Sequence, residues 1–517
     1  MATKKGKQLA GETGVCYLVG AGPGDPGLIT VRGRECIEAA DVVIYDYLSN
    51  PELLTWAKDD AELIYAGKKS PAPKQEQGSI NQMMIEKAKQ GKAVTRLKGG
   101  DPLVFGRGGE EAAELKAAGV RFEIIPGISS VFSAPAYAGI PVTHRLYNSC
   151  LTIFTGHEDP SKEAPAIDYK KIAVADGTKV VLMGVENLQK ICSQLIEHGA
   201  AADTPCALIR WATTGGQETL TSVLDSIAAL AKKKKFRAPA VLVIGEVVNL
   251  RNDLSWFEDQ PLFGKRIIVT RTRRTAGILS SKLRKIGADI IEIPTTRIEK
   301  PEDEMEFGEL VMDAHRYDWL IFSSPNGVER FFKIFFKIYK DAREIGGAKI
   351  AAIGPGTAAK IKEYHLSVDL LPEKSVAESL ADAFEKMGSS IENLKMLWVR
   401  PEQARRVLPD RLNAAGVILD EAVAYRSVAD TDDITGALQR FKHEGADIIT
   451  FTSSSSVEGF LNLKLELPKD LKIVSIGPAT SRTLKAAGLE VDIEAKEHNI
   501  DGLITAVEKI SRQRRRR

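Results

Sequence analysis

The segment KRIIVTR at residues 265–271 returns as KMLWVR at 395–400, and YDWLIFSSPNGV at 317–328 returns as ADIITFTSSSSV at 446–457. Arg271 and Arg400, Gly287 and Gly416, and Phe322 and Phe451 are each 129 residues apart, an offset that chance hydrophobic similarity would not maintain. Further on, IGPGT at 353–357 pairs with IGPAT at 476–480 at an offset of 123, so the first copy carries a short insertion. Two related α/β units therefore fill the C-terminal half, and the natural place for a ligand is the cleft between them.

A chain of 517 residues exceeds what one hydrophobic core usually supports, so three domains are expected, two of them supplied by the repeat. Its 44% hydrophobic and 27% charged residues exclude a disordered or fibrous class. No apolar run approaches the roughly 20 residues of a membrane span. The basic start MATKKGKQLAGETG leads into a strand-like run at 15–19 rather than an apolar leader, so a cytoplasmic location with no membrane partner is expected. With a net charge of only +2 the whole protein is no polyanion trap. The arginines at 514–517 read as a solvated end, so no nucleic-acid partner is expected. Cys16, Cys36, Cys150, Cys192 and Cys206 form no CxxC pair, and their odd number rules out a fully paired disulfide framework; they read as reduced packing residues.

AVLVIGEVV at 240–248 reads as the last buried strand of the first half, DQP at 259–261 as linker chemistry, and the turn at Gly264 as the start of a fresh strand. Prolines, glycines and polar residues around 140–148 interrupt periodic structure, so the first half divides into two lobes near 146–151. VCYLV at 15–19 feeds the loop GAGPGDPG at 20–27, an arrangement that lets backbone N–H groups approach a ligand closely. The dinucleotide fingerprint fails here, because Asp25 stands where the third small residue is needed and Pro23 and Pro26 remove two donors. A second strand at 94–97 feeds KGGDP at 98–102 and FGRGGEE at 105–111, and a third, at 124–125, ends in PGISS at 126–130 with hydroxyls placed to cap a helix. Ligands of open α/β sheets bind outside the carboxyl ends of the strands, so the three loops are expected to line one site.

GAGPGDPGLIT at 20–30, VVIYD at 42–46, RLKGGDPLVFGRGGEE at 96–111, PGISS at 126–130, PVTHR at 141–145 and TGH at 155–157 resemble the uroporphyrinogen-III C-methyltransferase family over residues 15–257. SSPNGV at 323–328, IGPGT at 353–357, the tyrosine in VAYRSV at 423–428 and IGPAT at 476–480 resemble uroporphyrinogen-III synthase, whose product is the methyltransferase's substrate. The resemblance implies an α/β protein: a two-lobed tetrapyrrole-methylase domain, then a two-lobed synthase region of two flavodoxin-like units. It implies a disordered segment at 1–14, methyltransferase lobes at about 15–147 and 148–257, and a linker at 258–264. Synthase lobes then follow at about 302–424 and at 265–298 with 427–512, and a basic tail at 513–517.

Family members bind S-adenosylmethionine between the two methylase lobes. By motif position Pro23, Gly99, Gly100, Asp101, Val104, Ser129, Ser130, Met183 and Ala212 would contact it, with the amides of Gly99 and Gly100 facing the methionine carboxylate and Asp101 the cationic end or the ribose. The family's acid/base groups map to Asp46 and Lys68, with a loop cap and a carboxylate anchor as the plain structural alternatives. Arg107, Glu110 and Arg145 match substrate-handling positions, Arg107 standing beside Asp46 as a candidate base, and His157 lies in the TGH motif. Uroporphyrinogen is a polycarboxylate, so Arg96, Lys98, Arg107 and Arg145 are candidate cations for it. His144 and His157 have no metal-ligand spacing, so no metal is expected.

In the second half the resemblance implies closure of linear hydroxymethylbilane with inversion of the last pyrrole. Tyr425 matches a tyrosine near the departing hydroxyl, Thr357 and Thr480 match ligand-facing threonines, and Ser324 and Ser454 lie at turns suited to carboxylates, or to helix capping. The expected function is a bifunctional enzyme that makes uroporphyrinogen III and methylates it at C2 and C7 to precorrin-2, toward siroheme and cobalamin, as a homodimer through the methyltransferase half. With no segment resembling an NAD-binding dehydrogenase or a ferrochelatase, the chain is expected not to finish siroheme. The rival reading is a methyltransferase with a non-catalytic tetrapyrrole-binding or regulatory module.

Overall fold

The structure is a computed structural model that describes residues 14–58, 60–67, 77–158, 167–270, 273–293, 295–429, 433 and 435–514. Lys68, residues 1–13 and the last arginines, 515–517, lie outside the described residues. The chain forms two compact units, one of Met1–Ile293 with Asp432–Val457 and Lys464–Arg517, the other of Pro294–Thr431 with Glu458–Leu463.

In the first unit, strands β1 (Val15–Gly20), β2 (Val42–Tyr45), β3 (Glu62–Tyr65), β4 (Val94–Lys98) and β5 (Arg121–Ile125) form a parallel sheet in the order β3-β2-β4-β1-β5. The chain leaves β1 toward β2 on one side and leaves β4 toward β5 on the other. Strands β1 and β2 thus send their chains one way and β4 the other, so the carboxyl ends of β1, β2 and β4 lie at the topological switch point of the sheet, beside which a crevice opens. Strands β6 (Leu151–Thr155), β7 (Thr178–Leu182), β8 (Pro205–Arg210), β9 (Glu218–Val223) and β10 (Ala240–Ile244) form a second sheet, β6-β7-β10-β8-β9, with only β6 and β7 parallel.

Residues 258–264, expected as a linker, are packed. Glu258 accepts from Gln217 Nε2 at 2.7 Å and Thr219 Oγ1 at 2.6 Å and pairs with Arg251, while Leu262 is fully buried. The cysteines also divide. Cys16, Cys36, Cys192 and Cys206 are buried, and burial pushes the thiols of Cys16 and Cys206 up to about 12 and that of Cys192 to about 11. Cys150 is exposed in the joint between the lobes, so it is not a packing residue.

The repeat resolves into strands β11 (Arg266–Thr270), β12 (Asp289–Glu292), β13 (Thr296–Glu299), β14 (Trp319–Phe322) and β15 (Lys349–Ala352), answered by β16 (Lys395–Pro401), β17 (Ile418–Ala429), β18 (Ile448–Phe451), β19 (Lys472–Ser475) and β20 (Ile493–Glu494). The two copies exchange their first strand pairs. β11 and β12 of the first copy join β18, β19 and β20 of the second in the parallel sheet β12-β11-β18-β19-β20. β16 and β17 of the second copy join β14 and β15 of the first, in the order β13-β17-β16-β14-β15. β13 runs antiparallel to β17, with Thr296 opposite Ala429, and so lies in the latter sheet, although residues up to 298 were expected with the other lobe. Its hydrogen bonds to the long β17 decide this, a pairing that no local periodicity records.

Beneath helix Pro325–Ile338 of the second unit, Phe331, Phe332 and Phe335 pack with Phe322 into a fully buried aromatic cluster, at the 3- and 4-residue spacing that puts one helix face inward. Removing one such ring costs about 3–5 kcal/mol.

Candidate functional site

Three glycine loops meet at the switch point. Gly22 N–H donates to Gly100 O at 3.2 Å and Gly100 N–H to Gly22 O at 2.7 Å, a small bridge that ties the loop after β1 to the loop after β4. A Cβ on Gly20 would come within 2.4 Å of Gly127 Cα, so the loop after β5 lies backbone against backbone with the first. Gly100 has φ +72°, open to glycine, and the space where its side chain would stand is clear to 3.9 Å, at Ser129 Cα. Ser129 caps helix Ser130–Tyr137, its hydroxyl accepting from Val131 N–H at 3.3 Å. The first amides of that helix thus open beside the crevice.

The expected roles of two loop amides and one carboxylate change here. Gly99 N–H donates to Asp46 Oδ2 at 3.3 Å and Gly100 N–H is taken by Gly22, so neither amide points at a ligand carboxylate. The loops need these donors to hold each other. Asp101 Oδ1 accepts from Leu103 N–H at 2.8 Å and Oδ2 from Gly127 N–H at 3.0 Å. Its carboxylate is a brace between two loops.

The opposite wall comes from the second lobe. Met183 follows β7 at φ +55° and is 49% exposed, so its side chain does not fill the core. Trp211 and Thr213 flank the buried Ala212 with φ of +46° and +68°. Side-chain residues in this region cost energy, and such strain gathers where a site demands a shape. Thr213 Oγ1 accepts from Asp25 N–H at 3.0 Å, joining the two lobes' loops directly. Pro23 lies half-buried in the first loop, and Val104 packs half-buried against the core that contains Ala212.

Asp46 follows β2 at the crevice floor. Its Oδ1 accepts from Leu48 N–H at 3.0 Å and from Ser49 N–H and Oγ, each at 3.1 Å, while Oδ2 has Gly99 N–H and faces Arg96 Nη2 at 3.7 Å. Arg96 and Lys98, expected to meet substrate, are instead 4% and 5% exposed. They point into the sheet's covered face, where Lys98 Nζ pairs with the fully buried Glu111 at 2.8 Å and Arg96 Nε lies 3.6 Å from the same carboxylate. Burial and neighbouring Arg96 pull Lys98 below the ordinary lysine value, and Glu111 opposes them. The sequence carried one signal for this cluster: VTRLK is a central strand, and charges on a strand buried on both faces must pair with each other.

At the rim, Arg107 has φ +61° and its Nη2 pairs with Glu110 at 2.5 Å, both side chains exposed. Arg145 and His157 are exposed on their own loops. A guanidinium offers only donors, so Arg107 suits carboxylates better than protons.

In the second unit, Ser324 follows β14 and caps helix Pro325–Ile338, accepting from Gly327 N–H at 3.1 Å, and its hydroxyl lies 2.9 Å from the Tyr425 hydroxyl. Thr357, in the first turn of helix Pro355–Lys362, is 3% exposed. The corresponding residues of the first unit, Ser454 and Thr480, follow β18 and β19. Ser454 Oγ accepts from Thr483 Oγ1 at 2.9 Å, and Thr480 is 3% exposed. Both threonines therefore sit inside their folds rather than on open surface. Among the described residues no group of three His, Cys, Asp or Glu side chains is arranged to hold a metal ion, and no helix is long and apolar enough to cross a membrane.

Residues 15–228 match the family model of tetrapyrrole (corrin/porphyrin) methylases, and 278–505 that of uroporphyrinogen-III synthase HemD. The chain is 35% identical to the porphyrin biosynthesis protein HemD of Ruminiclostridium josui over 95% of this chain and 97% of that one. It is 41% identical to a uroporphyrinogen-III C-methyltransferase of Bacillus subtilis over 73% of this chain and 77% of that one. It is also 47% identical to an S-adenosyl-L-methionine-dependent uroporphyrinogen III methyltransferase of Methanosarcina barkeri, over 48% of this chain and 96% of that one. With both family models matched in succession and a relative similar from end to end, the chain belongs to the family of fused tetrapyrrole methyltransferases and uroporphyrinogen-III synthases.

Proposed function

We propose that this enzyme of tetrapyrrole biosynthesis cyclises hydroxymethylbilane to uroporphyrinogen III and then methylates that product at C2 and C7, giving precorrin-2 for siroheme or cobalamin. The observation that carries the reading is the succession of the two family matches in one chain, because the product of the second activity is the substrate of the first. S-adenosylmethionine supplies an electrophilic methyl group when bound. The residues fit it: the clear space at Gly100, the wall of Met183 and Ala212, and the helix start at Ser130 form a cradle at the switch point.

In this reading the loops hold the donor while Arg107 and Arg145 at the rim attract the substrate's carboxylates. Methylation of a pyrrole carbon must be followed by loss of a proton from the macrocycle, and Asp46, a partly exposed carboxylate on the crevice floor, is the acceptor. In the synthase half the Tyr425 hydroxyl, held by Ser324, is the proton donor to the leaving hydroxyl. Incubation of the chain with hydroxymethylbilane and S-adenosylmethionine, followed by mass analysis, tests the whole sequence. A product two CH2 units heavier than uroporphyrinogen III, two methyl groups gained and two protons lost, is expected. Methylation of supplied uroporphyrinogen III without bilane consumption would instead identify the second half as a non-catalytic module.

A further inference from the structure

The connection between the halves is structured on both sides. Leu262 lies in one buried cluster with Ile267 and Leu283, and Phe263 meets Phe257 edge-on with ring centroids 5.6 Å apart. From helix Arg273–Lys285 and strand β12, two separate lines run back into loops of the first half.

One line is made of side chains. Arg284 presents both terminal guanidinium nitrogens to Glu52, Nη1 at 3.5 Å from Oε1 and Nη2 bonded to Oε2, with the two side chains only 14% and 15% exposed. Glu52 sits in the short turn Pro51–Trp56, where its N–H donates to Asn50 Oδ1 at 2.9 Å, and Asn50 Nδ2 donates to the Gly24 carbonyl at 2.6 Å. The other line is backbone. Gly264 N–H donates to Gly215 O at 3.2 Å, and Gly215 packs so closely that a Cβ there would stand 2.1 Å from Asp289 N. Gly215 lies just beyond Ala212 and Thr213, and Thr213 holds Asp25 N–H. The two lines converge on Gly24 and Asp25, next to Pro23.

We infer that Arg284, a residue of the synthase half, is a positioning residue for the cofactor site of the methyltransferase half, acting through Glu52 and Asn50 on the loop at 20–27. The inference rests on reading Pro23 and Ala212 as cofactor contacts. A charge-assisted fork that is mostly withdrawn from water fixes distance and angle together. Without the guanidinium, Glu52 and the buried Glu292 face each other with that counter-charge gone, and the Pro51–Trp56 turn shifts to rehydrate Glu52. Part of the cofactor's binding free energy then goes into restoring the loop, so affinity falls. By reciprocity, cofactor binding stabilises the synthase-half helix.

The test is calorimetric titration of the full chain with S-adenosylhomocysteine, together with amide exchange of helix Arg273–Lys285 with and without that ligand. Arg284→Met and Glu52→Gln should each weaken binding by roughly 2- to 30-fold. The double variant should lose no more than the worse single one, and Arg284→Lys should recover part of the loss. Lys282→Ala, on the same helix but paired with Asp501, should match wild type. Ligand should slow exchange of the helix in the wild-type chain. Unchanged affinity in folded Arg284→Met, additive losses in the double variant, or exchange indifferent to ligand overturns the inference. If Arg284→Met does not fold, Arg284→Lys and the wild-type exchange decide it. A wild-type chain that binds no S-adenosylhomocysteine overturns the site reading, and the inference with it.

Discussion

The hydroxyls of Tyr425 and Ser324 lie 2.9 Å apart although 101 residues separate them, and Ser324 also caps the helix that carries the buried phenylalanine cluster. Tyr425 is 6% exposed, and burial pushes its phenol up while Ser324 and Asn326 pull it down. The net rise keeps the proton on the oxygen at neutral pH, as a donor requires.

Tyr425→Phe keeps the ring in its core position and removes only the hydroxyl. Loss of the hydrogen bond should cost about 1 kcal/mol of stability, and bilane consumption should slow by roughly 10²–10⁴-fold if the phenol is the acid. Chromatography of the oxidised porphyrins should reveal a larger share of isomer I from uncatalysed closure. Wild-type rate with pure isomer III would remove Tyr425 from catalysis.

Asp46→Asn separates a proton acceptor from a loop cap. The amide oxygen can still accept from Leu48, Ser49 and the Ser49 hydroxyl, but the other position becomes a donor that meets Gly99 N–H and Arg96. Methyl transfer should fall by on the order of 10²–10⁴-fold, well beyond any loss of S-adenosylhomocysteine affinity. Full turnover from pH 6 to 9 would leave Asp46 a structural cap; Lys68→Ala, read the same way, tests the other acid/base candidate.

Asp101→Ala removes the brace between the loops that follow β4 and β5. Cofactor binding should weaken, because Gly127 and Leu103 lose their acceptor and the cradle around Gly100 loosens. Cyclisation should persist, since the brace belongs to the methyltransferase half. Calorimetry on the folded variant checks the first outcome, and unchanged affinity would assign the brace no part in the site.

Glu292 predicts a pH dependence. Burial, and then the Glu52 charge, raise its carboxyl from the ordinary 4.5 to about 7, against the pull of Ser280 and Arg284. A raised carboxyl keeps its proton in the folded chain after the unfolded chain has lost it. Its effect on stability is therefore nil below about pH 4.5, increasingly unfavourable as pH rises toward 7, and constant above. Glu292→Gln should be more stable than wild type above pH 7, by up to about 3 kcal/mol, and equal to it near pH 4. Denaturant titrations of both proteins at the two pH values measure the difference, and a gap that does not change with pH would reject the shifted carboxyl.

Much of the architecture was legible along the chain because its evidence is local. The constant offset of 129 residues marked the repeat, and strands feeding glycine loops marked the crevice at the ends of β1, β4 and β5. These features depend on the order of residue types over a few turns, which a sequence displays directly. What only the tertiary structure decided is how distant segments share partners. The trade of β11 and β12 for β16 and β17 leaves no periodic trace and was implied only by the family resemblance, while the pairing of β13 with β17 was not implied at all, because strands select neighbours through long-range hydrogen bonds and core packing. Gly99 and Gly100 spend their amides on Asp46 and Gly22, Arg96 and Lys98 turn inward to Glu111, and Arg284 finds Glu52 across 232 residues. In each case a polar group removed from water must be satisfied by whatever the fold brings near it, and that neighbour exists only once the chain has folded.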